Sequence, residues 1–156
     1  MREHRHSTDF KVIPFEADHV ADLFARNSTQ ATAGMDYVVK DYIDCMAAPG
    51  HGFSLVTNGH LVFSAGVYPV WNGLGEAWVI PSDLVKPYRK QVVKYSRRYL
   101  QMLVEKNGYR RVQSTVRADF DVGQRFMEFF GFKREAFLES YGPDGADHIS
   151  YAKVIK

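Results

Sequence analysis

The sequence has very little cysteine and very little net charge. Cys45 is the only cysteine in 156 residues, which excludes an intramolecular disulfide and a cysteine-built zinc site and fits a reducing compartment. A net charge of +2 falls well short of the basic footprint of a dedicated nucleic-acid binder, so nucleic acid is not an expected partner. Met1 to Thr8 is charged and has no apolar centre, so it reads as neither a signal peptide nor a membrane span. These absences point to a cytoplasm, or to a particle filled from one. The six histidines, His4, His6, His19, His51, His60 and His148, show no helical or paired spacing with carboxylates, and no metal is expected. Cys45 lies on an apolar helical stretch and reads as a core residue rather than a nucleophile.

What is present suits a single compact domain. With 46% hydrophobic and 24% charged residues, a chain of this length can bury about 70% of its unfolded surface. Residues 1–9 read as a flexible N-terminus and 10–156 as the domain. Phe10 to Phe15 alternates as a strand, and Asp18 precedes Val20, Leu23 and Phe24 at helical spacing. A second helix is expected over Met35 to Met46, ended by Ala47-Ala48-Pro49-Gly50, with both helices over one sheet face. Strands at Phe53 to Thr57, Leu61 to Tyr68 and Glu76 to Ile80 are separated by Asn58-Gly59 and Asn72-Gly73, pairs suited to the positive φ angles of tight turns. The periodicity then predicts a helix over Arg89 to Lys106. Its apolar stripe is Val92, Val93, Tyr99, Leu100 and Leu103, its basic side carries Lys90, Lys94, Arg97 and Arg98, and Asn107-Gly108 stops it. A strand at Arg111 to Arg117, a short helix at Val122 to Phe130, and strands at Phe132 to Tyr141 and His148 to Ile155 complete the order. Tyr88, Tyr95 and Tyr99 could accompany the basic helix at a nucleic-acid surface, but the helical period turns Tyr99 inward.

This order, β-α-α-β-β-β-α-β-α-β-β, resembles the GCN5-related N-acetyltransferase (GNAT) fold. The segment Arg125-Phe126-Met127-Glu128-Phe129-Phe130-Gly131-Phe132 is similar to the aromatic pair and Gly-Phe helix exit of that family. Trp78-Val79 with Ser82-Asp83, the basic helix, Arg125-Phe126 with Gly131, and Glu139 and Tyr141 before Asp144-Gly145 further resemble acetyltransferase-like internal virion proteins of podophages. The fold class so implied is α+β, a three-layer arrangement with a mixed, mostly antiparallel sheet of about seven strands and about four helices.

The resemblance also implies a site. Acetyl-CoA is the implied cofactor, with Val79, Ile80, Lys86, Arg89, Lys90 and Phe126 as its candidate contacts. Glu76 stands where the family often places its general base. The family usually grips the pyrophosphate with a glycine-containing loop, whose backbone N–H groups bind anions. Leu84 to Val92 contains no glycine, and Pro87 has no N–H. The position of the family's tyrosine general acid is Met127, which has no proton to give; Tyr141 or Tyr88 would have to substitute. The sequence therefore favours a phage or prophage protein with a degenerate acetyl-CoA site, acting through protein partners in the virion or host cytoplasm. An active acetyl-CoA-dependent N-acetyltransferase, acting on an amine of a small molecule or protein, is the alternative.

Overall fold

A computed structural model describes residues 9–25 and 40–156. The elements follow the expected order: β1 (Phe10–Pro14), α1 (Asp18–Ala25), α2 (Lys40–Met46), β2 (Gly52–Thr57), β3 (His60–Trp71), β4 (Leu74–Pro81), α3 (Arg89–Asn107), β5 (Arg111–Arg117), α4 (Asp121–Phe129), β6 (Lys133–Leu138) and β7 (His148–Val154). The strands form one seven-stranded sheet in the order β1-β2-β3-β4-β5-β7-β6. Every neighbouring pair is antiparallel except β4 and β5. That exception follows from the α3 crossover, which returns the chain in its original direction.

Local chemistry explains the connections. Asn58 and Gly59 take φ angles of 49° and 77°, giving β2 and β3 the left-handed turn that a tight hairpin needs. Gly73, at φ 85°, does the same between β3 and β4. There β3 runs on through Pro69 to Trp71 with a register shift, three residues beyond the expected end at Tyr68. Gly108, at φ 66°, caps α3 in the left-handed conformation, and its N–H donates to the carbonyl of Glu105.

The alternation of β4 separates two cores. Ala77 and Val79 pack into a cluster with Phe53, Phe63, Val67, Leu103, Met127 and Phe130, which lies beneath α3 and α4. Trp78 and Ile80 point the other way, into a cluster with Phe15, Val20, Leu23 and Met46 beneath α1 and α2. Tyr99 turns inward as its position on the helix predicts, stacking on Phe53 at 4.8 Å between ring centroids. Cys45 corrects an expectation: it is exposed, because α2 turns Met46 rather than Cys45 inward. The expected start of the second helix, Met35 to Val39, and residues 1–8 of the N-terminal segment lie outside the described residues. Among the described residues no helix is long and apolar enough to cross a membrane.

Candidate active site

The sheet opens between β4 and β5. Their parallel ladder joins only Leu74, Gly75 and Glu76 to Arg111, Val112 and Gln113. β4 continues to Pro81 and β5 to Arg117 without further pairing to each other. Just past the ladder the Ser114 hydroxyl donates to the Ala77 carbonyl at 2.8 Å. Because successive residues of a strand alternate, that bond shows that the backbone groups of Ala77, and two residues on those of Val79, face the opening. β5 offers Val79 no ladder partner, so its N–H and C=O can bind an extended polar chain lying in the gap.

Glu76 closes this V. It is half-buried, and desolvation raises its pKa above the ordinary carboxylate value, opposed by a side-chain hydrogen bond from Gln113. The Gln113 amide is itself oriented: its Oε1 accepts from Arg111 Nε at 3.3 Å, which leaves its NH2 for Glu76. Arg111 is held in turn by Glu135, which takes both terminal guanidinium nitrogens, Nη1 at 2.9 Å. A carboxylate with a raised pKa, held at the end of a gap, is placed to accept a proton.

The two faces of the opening differ. Glu76, Gln113, Thr115, Arg117 and His148 share the α1/α2 face, as the ladders Glu76↔Gln113 and Arg117↔His148 require. At its far end Arg117 binds Asp119 at 3.1 Å and Asp144 at 2.6 Å, tying the β6–β7 connection down. Burial, reinforced by the Arg117 charge, lowers the His148 pKa. The opposite face carries a small, open apolar cavity lined by Ala77 and Val79 of β4, Ser96 and Leu100 of α3, and Phe126 and Met127 of α4 among others.

The connection from β4 to α3 is short. Ser82 caps a 3-10 turn over Asp83–Val85, accepting from Leu84 N–H at 3.2 Å. No residue from Pro81 to Arg89 has positive φ, so successive N–H groups form no concave nest there. Tyr88 provides no side-chain cap to α3, so the first-turn N–H groups remain available, with exposed Lys86, Arg89 and Lys90 around them.

Comparison with solved structures fixes what this architecture is. The chain superposes on Ard1 from Thermoplasma volcanium with a TM-score of 0.73 and 17% identity, over 94% of this chain and 98% of that one. The fold is the GNAT acetyltransferase fold. The ribosomal-protein-S18-alanine N-acetyltransferase from Escherichia coli matches with a TM-score of 0.66 and 18% identity over 95% of each chain. A GNAT-family acetyltransferase from Bacillus anthracis matches with a TM-score of 0.65 and 14% identity, over 93% of this chain and 94% of that one. No protein-family model and no curated protein matches the sequence.

The structure sorts the candidate residues of this GNAT-fold chain. Glu76, Val79 and Phe126 gather around the opening, and Lys86, Arg89 and Lys90 surround the start of α3. Ile80 is 1% exposed with its side chain in the α1/α2 core, so only its backbone could contribute to binding. Tyr141 lies in the β6–β7 connection on the α1/α2 side, exposed, with its ring against His148 at 5.2 Å, and it does not line the cavity that holds Met127. Tyr88 packs edge-on against Phe10 at 5.2 Å. Met127, 8% exposed, lines the cavity. Sequence reasoning missed Gln113, whose role depends on pairing across a 37-residue crossover, and Ser96, whose signal was a hydroxyl interrupting the apolar stripe of α3. It also missed His19, which bonds through Nδ1 to Ser54 at 2.8 Å, with Ser54 bonding Ser64 at 2.6 Å inside the α1-side core. Among the described residues no group of three or more His, Cys, Asp or Glu side chains could hold a metal ion.

Proposed function

We propose that this chain is an acyl-CoA-dependent N-acyltransferase that uses Glu76 as its general base. The observation that carries the reading is the half-buried Glu76 carboxylate at the closed end of the β4–β5 opening, with Gln113 orienting it. The opening fits the group. Val79 backbone atoms and the apolar cavity suit a pantetheine arm, while the uncapped start of α3 with Lys86, Arg89 and Lys90 suits its phosphates. When bound, acyl-CoA supplies an activated thioester carbonyl. From this chain, Glu76 takes the proton of the acceptor amine as the new C–N bond forms and the C–S bond breaks. Thr115, Arg117 and the tied β6–β7 connection border the acceptor side. Titration calorimetry with acetyl-CoA tests the fit: saturable micromolar binding, weakened about tenfold by Arg89→Ala with Lys90→Ala, is expected. No binding would refute the proposal.

A second reading is favoured by the β4–α3 connection, where Pro87 and the absence of positive φ leave no backbone anion nest. In it the site is degenerate, and the chain is a phage or prophage protein acting through partners in the virion or host cytoplasm. Failure to bind acetyl-CoA, together with recovery of the chain from purified particles, is what this reading predicts.

A further inference from the structure

Resting on the transferase reading, we infer that the Ser96 hydroxyl is the hydrogen-bond donor to the leaving sulfur, a task Met127 cannot perform. Three observations converge on it. Ser96 is 7% exposed, its Oγ is fully buried without a hydrogen-bond partner, and it lines the cavity that also holds Met127.

A serine inside a helix usually satisfies its hydroxyl on the carbonyl four residues back, and Ser96 does not. Leaving a buried hydroxyl unpaired costs stability, so an unpaired group facing a cavity marks a place where a partner can arrive. The position is otherwise apolar: Val92, Leu100 and Leu103 occupy the same side of α3, and the cavity lining offers almost no other polar surface.

Stereochemistry says which partner. Glu76 projects toward the α1/α2 face, so the acceptor amine must approach the thioester carbonyl from there. In the tetrahedral intermediate the new C–N bond and the C–S bond diverge, so a sulfur at the end of an arm seated in the cavity leaves on the α3/α4 side. As the C–S bond breaks, its electron pair goes to sulfur. The amine proton goes to Glu76, and Ser96 Oγ donates a hydrogen bond to the thiolate without losing its own proton. In a cavity walled by Phe126, Met127 and Phe130, one aimed donor stabilises that developing charge far more than it would in water.

The decisive measurement reads the bound thiol itself. The near-ultraviolet absorbance of the CoA thiolate, followed against pH on the protein–CoA complex, gives the midpoint of its ionisation. Ser96→Ala is expected to raise that midpoint by about one unit, and Ser96→Thr, which keeps the hydroxyl, to leave it near the wild-type value. Turnover with acetyl-CoA should fall about tenfold to a hundredfold in Ser96→Ala with KM for acetyl-CoA within about twofold. An unchanged midpoint in Ser96→Ala overturns this inference alone. Absence of CoA binding by the wild type overturns the transferase reading with it.

Discussion

The two faces of the sheet differ in a way that divides labour between folding and chemistry. Under α3 and α4 the sheet presents a mostly apolar surface, from Phe53 and Phe63 through Val67 and Val112 to Ile149 and Tyr151, with Ser114 at the β4–β5 opening. Under α1 and α2 only the half formed by β2, β3 and β4 is apolar; across β5 and β7 the same face carries Arg111, Gln113, Thr115, Arg117 and His148. The border between these halves runs through Glu76. A carboxylate at such a border is dry enough to have a raised pKa yet open enough to meet a substrate.

The largest expected effect breaks the contrast directly. Phe63, fully buried, should cost about 3–5 kcal/mol when changed to alanine, whereas Thr115→Ala on the polar half should stay within about 0.5 kcal/mol, both read by urea denaturation. Comparable losses at both positions would show that the polar half also carries the fold.

A smaller effect sharpens the border. Since folding raises the Glu76 pKa, the folded state holds this proton to higher pH than the unfolded chain does. Stability is therefore lost as pH rises from the unfolded value through the folded one. Glu76→Gln removes that loss, so its advantage over the wild type should be absent in acid and grow toward neutral pH in paired thermal melts. A difference that stays constant with pH would mean that Glu76 is not strained by burial.

The same contrast explains what the sequence discloses. Turns whose geometry resides in two adjacent residues, such as Asn58-Gly59, are legible, and so is α3, whose 19 residues repeat one pattern several times. Cys45 is misjudged because it lies one position from Met46, and it is Met46 that enters the core. Glu76 is legible through its place on the central strand, but its partner is not: Gln113 meets it only because α3 carries the chain over to a parallel strand. Tyr141 looks available in sequence for the role left open by Met127, yet its ring packs on His148 on the α1/α2 face, whereas Met127 lines the cavity on the opposite face. Ser96 replaces no recognisable motif residue, and only its unpaired hydroxyl within a shared cavity sets it apart.

The central claim is that Glu76 removes the acceptor's proton, and steady-state kinetics of Glu76→Gln with acetyl-CoA and an amine or peptide acceptor test it most directly. The account predicts that kcat falls by about 10²–10⁴-fold while acetyl-CoA affinity, measured separately by calorimetry, stays within about twofold. Wild-type turnover in Glu76→Gln would contradict it.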